Sequence, residues 1–420
     1  RAGARAVLPK VGGGERLRTR AALAALGAAR TEGALMALVK GVTAIGIVPP
    51  AIPGAFSELY ATYKSAVLGS GVPGADEKEV ASVLRAIAGR TLKEFLEPYE
   101  FPSEHKRILE PYNYYEFGQR YVRNLVDFER SWLGHRDRWD DAAARLARGE
   151  NVIILANHQT EADPGVFALL LEKTHPELAE EVAYVAGDRV TDDALCKPFT
   201  MGRNVFCVHS KKHMDDDPVD KQRKQKQNMK TLGAISKALG RGGQLLWIAP
   251  SGGRDRPDPE TGVFNPAAFD PAAVGLMAKL AGKAKKPTTL MPMAMWSSAV
   301  MPPPASLEKE LGEQRITNFT GVAISLCAPV DPAQDVPQGS TLSDTIFAAV
   351  CDEYKHTDRT IRLGERPPAH FTQPFLEGQE TRQEQRLGGG AEPEKDSRDK
   401  GQKDVVDPSG GLADQRRYDW

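Results

Sequence analysis

Cysteine is scarce in this chain of 420 residues. There are four, Cys196, Cys207, Cys327 and Cys351, with no CxxC pair and no zinc-ligand spacing. That excludes a disulfide-stapled scaffold and a finger-type structural zinc. Cys207 and Cys327 lie inside apolar runs and are expected to be reduced core thiols, which points to a reducing compartment. Long apolar runs are also missing. The most apolar region, "ALMALVKGVTAIGIVPPAIPGAF" (34–56), is interrupted by Lys40, Pro49, Pro50 and Pro53. A membrane-spanning helix needs about 20 predominantly apolar residues, so this region reads as helices broken by a proline turn. Charge of one sign is absent too. With 55 basic and 56 acidic side chains the net charge is -1, so no global field recruits nucleic acid or an anionic membrane. Finally, there is no GxGxxG, Walker, HExxH or GxSxG pattern. No cofactor and no metal are expected.

What is present is the composition of a globular protein, with 41% hydrophobic and 26% charged residues. Residues 1–30 are rich in arginine and alanine with Glu15 the only acid, the composition of a transit-peptide remnant or a flexible N-terminus. Residues 31–98 read as helices forming a small bundle. In "FSELYATYKSAVLGSG", Phe56, Leu59, Tyr60, Tyr63, Val67 and Leu68 share a face; in "DEKEVASVLRAIAGRTLKEFLEP" the face is Val80, Val83, Leu84, Ile87, Leu92 and Phe95. Tyr112 to Leu133 reads as helix, and Asp140 to Ala147 as a short alanine-rich one.

After Gly149 the pattern changes. The runs at 151–157, 181–187, 204–210, 244–250, 289–296 and 321–330 are short, continuous and β-branched, as expected of strands covered on both faces. Helical stretches at 164–174, 221–239 and 271–281 alternate with them. The expected class is α/β: a mixed, largely parallel sheet covered by helices, with the smaller helical bundle ahead of it. The expected divisions are 1–30, a bundle at 31–98, a catalytic domain at 99–376, and a flexible charged tail at 377–420, whose composition buries too little apolar surface to offset ordering.

Three loops carry chemistry. "NHQTEADP" (157–164) follows the first of these strands. Asp163 before Pro164 suits a helix N-cap. On a regular helix residues five apart point about 140° apart, but in a loop Asp163 can turn back to the ring of His158. A carboxylate on one ring nitrogen fixes the tautomer and leaves the other as a base. The competing reading is a bland turn, with Asp163 only a cap. The second loop, "KKHMDDDP", supplies Lys211, Lys212 and His213. The third, "SGGRDRPDP", supplies Arg254 and Arg256 behind Gly252 and Gly253. Taken alone, the lysines are a solvated charge run, and the arginines pair with Asp255 and Asp258. All three loops follow carboxyl ends of predicted strands, however, where open parallel sheets bind ligands. Cations from two loops beside a histidine from a third make an anion pocket containing a base.

The stretch "NHQTEADP" matches the NHxxxxD motif of glycerolipid acyltransferases. Together with "VAGDRV", "CKPF", "GRN", "CVHSKKHM" and "WIAPSGGRDRPDP", it resembles the soluble plastid glycerol-3-phosphate acyltransferases of plants and algae, from about Leu59 to Phe375. The resemblance implies transfer of a fatty acyl group from acyl carrier protein or coenzyme A to the sn-1 hydroxyl of glycerol 3-phosphate. It implies His158 as general base, Asp163 as its partner, and Lys212, His213, Arg254 and Arg256 as the phosphate pocket. It also implies a plastid location, with transient membrane contact an open expectation. Where the wider superfamily reads PEGxR, this chain has "PSGGR", with Ser251 in the glutamate position; that disfavours a lysophosphatidate-type acceptor. The acyl chain needs an apolar groove, along "MPMAMW" or the helices flanking the sheet, and an acidic carrier needs a local basic patch. Two other readings stay open: a metal-dependent phosphoester hydrolase using His158 and Asp163, and a non-catalytic anion-binding module.

Overall fold

The computed structural model describes residues 25–187, 189–209, 218–303 and 315–373, with only the backbone at 218–220. The described residues all lie within one compact unit. The charged tail expected at 377–420 and most of the expected transit segment lie outside the described residues.

After a helical stretch at 25–28, three helices follow: Glu32–Ala44, Ile52–Gly69 and Glu77–Leu96. Local chemistry sets their starts. The Thr31 side chain accepts from the Ala34 N–H, and the Asp76 carboxylate from the Glu79 N–H, satisfying donors that a helix N-terminus leaves without partners. The expected apolar faces are the buried ones, with two exceptions: Leu68 is exposed and Phe95 half-buried, while Phe56, Leu59, Tyr60, Tyr63 and Val67 are buried. Among the described residues, no helix is long and apolar enough to cross a membrane.

The sheet has nine strands: β1 Glu104–His105, β2 Trp132–Gly134, β3 Asn151–Ala156, β4 Ala183–Ala186, β5 Asn204–Cys207, β6 Leu245–Ile248, β7 Thr288–Trp296, β8 Ala323–Leu326 and β9 Phe371–Thr372. Their spatial order is β1-β5-β4-β6-β3-β7-β8-β2-β9. The central run β5-β4-β6-β3-β7 is parallel throughout. β1, β8 and β9 join antiparallel to β5, β7 and β2, and β2 runs parallel to β8. The fold is therefore α/β with a mixed, largely parallel sheet, as its sequence pattern requires.

All six residues of β3 are buried, and its side chains alternate between two cores. Val152, Ile154 and Ala156 belong to a cluster that continues into the N-terminal helices. Ile153 and Leu155 face the other layer, with Ile235 and Leu239 of helix Pro218–Arg241, Val274 and Met277 of helix Pro271–Lys283, and Ile346 and Val350 of helix Leu342–Arg362. This two-sided burial is why the strand reads as an unbroken apolar run.

Two expectations need correction. The segment 112–133 is not one helix: helix Tyr114–Arg123 ends at Asn124, and the chain then passes through a 3-10 turn into β2. Aromatic richness there serves core contacts at both ends rather than one helical face. Cys207 is only half-buried, whereas Cys327 is buried; none of the four cysteines is in a disulfide.

Candidate active site

The parallel strands β3, β4, β5, β6 and β7 present their carboxyl ends along one edge. The loop after β3 holds Asn157, His158 and Asp163. The Asp163 carboxylate is almost wholly buried and accepts at both oxygens. Oδ2 takes the Gln159 N–H (2.7 Å) and faces His158 Nδ1 (2.7 Å); Oδ1 takes the Ser297 hydroxyl (2.6 Å) and the Thr160 N–H (3.2 Å). The sequence-based N-cap assignment is corrected. The helix runs Asp163–Leu171 with Ala162 at its cap and no side-chain cap bond. The carboxylate closes the loop behind it instead, because a buried charge must find several donors and the loop supplies them.

With Nδ1 held by an anion, the ring carries its proton there and Nε2 is the basic nitrogen. Among the described residues Nε2 has no hydrogen-bond partner, and the His158 side chain is 26% exposed. The edge of the ring stands against Trp247, with centroids 5.9 Å apart.

Neighbouring residues fix this loop to the sheet. The Asn157 amide donates to the Met295 carbonyl and to Asp255, both at 2.9 Å, and accepts from the Met295 N–H at 2.8 Å. The Gln159 side chain donates to the Tyr354 hydroxyl and accepts from the N–H groups of Ser297 and Ser298. Asp255 also donates its backbone N–H to the His158 carbonyl. The expected pairing of Arg254 and Arg256 with Asp255 and Asp258 is not what forms. The Asp255 carboxylate holds Asn157 and the Ala267 N–H, and Asp258 caps its own turn through Glu260 and Thr261. Burial pushes the Asp255 carboxyl up to about 6.

Glu161, to which the sequence assigned no role, is the centre of the electrostatics. Its buried carboxylate meets Arg315 Nε at 2.9 Å, Arg189 Nε at 3.1 Å and Arg254 Nη1 at 3.7 Å; Arg315 also reaches Asp193 at 2.9 Å. Burial alone would raise the carboxyl, but Arg315, Arg254 and Arg189 outweigh it and hold it down at about 2. Arg254 and Arg256 are both pulled below the ordinary guanidinium value, first by burial and then by Arg189, with Arg256 also lowering Arg254. Arg256 Nε is buried without a hydrogen-bond partner. Crowded, desolvated cations of this kind are relieved by an added anion.

Of the residues singled out from sequence, the structure brings His158 and Asp163 into contact, and Arg254 reaches the histidine loop through Glu161. Arg256 sits beside it, its Nη1 donating to the Asp255 carbonyl. Lys212 and His213 lie outside the described residues. Arg189, Arg315, Ser297 and Asn157 were missed. Arg189 stands in "VAGDRV", one of the stretches that carry the resemblance, and Asn157 in "NHQTEADP". Arg315 has no local signal at all.

Beside the loop opens an apolar cavity of about 120 Å³, between the N-terminal helices and the sheet. Leu59, Tyr121, Val122, Tyr184, Phe199 and Met301 line it, and Glu161 and Arg315 lie at its polar part. Gly165 borders it because helix Asp163–Leu171 approaches helix Tyr114–Arg123 closely: a Cβ there would stand 2.7 Å from Val122 Cγ2. β7, which contains "MPMAMW", is packed into the sheet cores instead.

A histidine–aspartate pair at the carboxyl edge of an α/β sheet, beside buried arginines and an apolar cavity, defines the acyltransferase class, and residues 141–296 match the Acyltransferase family model. Residues 24–99 match the family described as glycerol-3-phosphate acyltransferase N-terminal. The chloroplastic glycerol-3-phosphate acyltransferase ATS12 of Cucurbita moschata is 45% identical over 301 residues, 72% of this chain and 65% of that one. The chloroplastic glycerol-3-phosphate acyltransferase of Arabidopsis thaliana is 43% identical, over 80% of this chain and 74% of that one. The chain belongs to the chloroplastic glycerol-3-phosphate acyltransferase family. It spans just under two thirds of the Cucurbita relative's length. A solved structure, the 1-acyl-sn-glycerophosphate (LPA) acyltransferase PlsC of Thermotoga maritima, overlaps 81% of this chain and 97% of that one at 13% identity and a TM-score of 0.35.

Proposed function

We propose that this chain transfers a fatty acyl group from a thioester donor to the sn-1 hydroxyl of glycerol 3-phosphate, giving lysophosphatidic acid. The observation that carries the reading is the 2.7 Å contact of His158 with buried Asp163, beside the arginines gathered on Glu161. Arg254 and Arg256, with Lys212 and His213 from the second loop, hold the phosphate, so the acceptor hydroxyl is positioned rather than searching. His158 Nε2 takes the hydroxyl proton as the oxygen attacks the thioester carbon; the thiol leaves and is protonated. A thioester is reactive enough that no acyl-enzyme is needed, and both substrates are bound together. The acyl chain lies in the apolar cavity. A metal-dependent hydrolase is disfavoured, because Asp163 spends both oxygens on donors and Glu161 spends its own on arginines.

The phosphate pocket is tested by Arg254→Ala. The KM for glycerol 3-phosphate should rise at least tenfold, the loss of about 1.5–3 kcal/mol expected for a hydrogen bond to a charged group, while the KM for the donor changes less than twofold. Equal effects on both substrates would sink the assignment.

The donor is read as acyl carrier protein in the plastid stroma, with coenzyme A as a substitute. Helix Pro218–Arg241 has no Asp or Glu between residues 221 and 241. Arg223, Lys226, Lys230, Lys237 and Arg241 are exposed, at spacings that place them along one face. Such a stripe suits an acidic carrier. In Lys226→Glu/Lys230→Glu at low salt, the KM for acyl carrier protein thioesters should rise roughly tenfold and that for acyl-coenzyme A should not. If both donors respond alike, the stripe is not the docking surface. By the same reading, residues 31–98 are a helical domain, 99–376 the catalytic domain and 377–420 a tail, and any contact with the plastid membrane is transient.

A further inference from the structure

Three of the eight histidines collect at the other side of the sheet, three strands away from β3. His135 follows β2, His370 precedes β9, and both rings address Glu353 of helix Leu342–Arg362. His370 Nε2 lies 3.1 Å from Glu353 Oε1, and His135 Nε2 lies 3.6 Å from Oε2. One ligand atom from each of the three residues lies within 4.8 Å of the others. The two imidazoles are stacked, with centroids 4.0 Å apart. His356, one helical turn beyond Glu353, sets its ring edge-on to His370 at 5.9 Å.

We propose that His135, Glu353 and His370 form a binding site for a divalent transition-metal ion of the Zn²⁺ type, clamping the β2–β9 edge of the sheet. Two neutral imidazoles and one carboxylate are a donor set that such ions favour, with a fourth position left for water. For ligands at about 2.0–2.1 Å around a tetrahedral ion, neighbouring donor atoms stand roughly 3.3 Å apart. The 3.1 Å between His370 Nε2 and Glu353 Oε1 is close to that edge, and on binding the stacked His135 and His370 rings turn toward each other to bring both Nε2 lone pairs onto one ion. The carboxylate is oriented from behind by the Ser325 hydroxyl, which donates to Glu353 Oε1 at 2.6 Å, the kind of support that metal ligands receive. A second observation is independent of the ligand atoms. Among the described residues, His135 is the only non-glycine with positive φ, at 55°. Its N–H donates to the His370 carbonyl at 2.8 Å. A side chain is rarely held in that backbone region unless its surroundings over-determine it, and such residues cluster at ligand sites. The cation that acts on His135 is Arg138, whose Nη1 donates to the Leu326 carbonyl at 2.9 Å.

The test is calorimetric titration of the tag-free full chain with Zn²⁺, and with Co²⁺ for its visible spectrum. One equivalent should bind with a Kd below about 10 µM, and affinity should fall at least tenfold in both His135→Asn and Glu353→Gln. Asparagine tolerates the left-handed backbone, so His135→Asn removes the ligand without forcing that turn to change. Circular dichroism verifies that each variant is folded. His158→Ala should bind as the parent does, which separates this site from the catalytic one. Binding weaker than about 10 µM, or binding unchanged by the two substitutions, would overturn the proposal.

Discussion

Replacing His158 by alanine is expected to lower kcat by a factor of about 10²–10⁴, the contribution of a positioned general base, while the KM for glycerol 3-phosphate moves little. In the proposed mechanism arginines from another loop hold the phosphate, so losing the imidazole should leave acceptor binding in place. Asp163→Asn should approach the same loss. The contact at 2.7 Å fixes which ring nitrogen bears the proton, and an amide can present its NH₂ group to Nδ1 and reverse the tautomer. The two substitutions should not add, because the aspartate acts through the histidine. Steady-state rates for the two single variants and the double variant check this. A His158→Ala enzyme retaining most of its rate would show that the proton leaves by another route.

The second large effect is expected at Glu161. Removing the charge by Glu161→Gln leaves Arg315, Arg189 and Arg254 facing a neutral amide in a buried site. Breaking a buried ion network from one side costs on the order of 3–5 kcal/mol, enough to lower Tm by roughly 5 °C in a chain of this size. The KM for glycerol 3-phosphate should shift as well, since Arg254 loses the group that positions it. The pH dependence gives a separate signature. The folded-state carboxyl of Glu161 is held at about 2, below its ordinary 4.5. Its stabilisation is therefore complete above pH 4.5 and is lost as pH falls from there through about 2. Asp255 has the opposite sign. Raised to about 6 from 3.8, it favours the folded state while protonated, and stability falls as pH rises from about 4 through 6. Melting curves of wild type and Glu161→Gln should converge as pH drops below 4.5. A variant whose melting temperature stays a constant distance below wild type down to pH 2 would show that the arginines are not held by this charge.

Much of the architecture was legible because burial writes directly into sequence. Strands covered on both faces must be apolar at every position, so β3, β4, β5, β6, β7 and β8 all fall within the runs read as strands. The short strands β1, β2 and β9 have two or three residues each, too few to carry a period, and all three were missed. The helix Leu342–Arg362 was passed over as well. It is packed against β7 and β8 on one side and mostly charged on the other, between two stretches of turn residues. The 112–133 region failed for a different reason: its aromatic residues satisfy a helical face and a loop packing into the same core.

The candidate site divides along the same line. The sequence by itself determined the histidine and its aspartate five residues on, the arginine-bearing glycine loop, and the placement of both after strands, because those features are local and strand-to-helix turns have few solutions. It also determined the family, through long ordered stretches of matching residues. Only the tertiary structure decided what Asp163 does with its four donors, why Glu161 is buried among arginines, and that Ser297, Asn157, Arg189 and Arg315 belong to the same site. Those contacts join residues up to 154 positions apart. Nothing in a stretch of chain records a partner that far away, since the partner is selected by the need to satisfy a buried charge once the sheet has already brought the loops together.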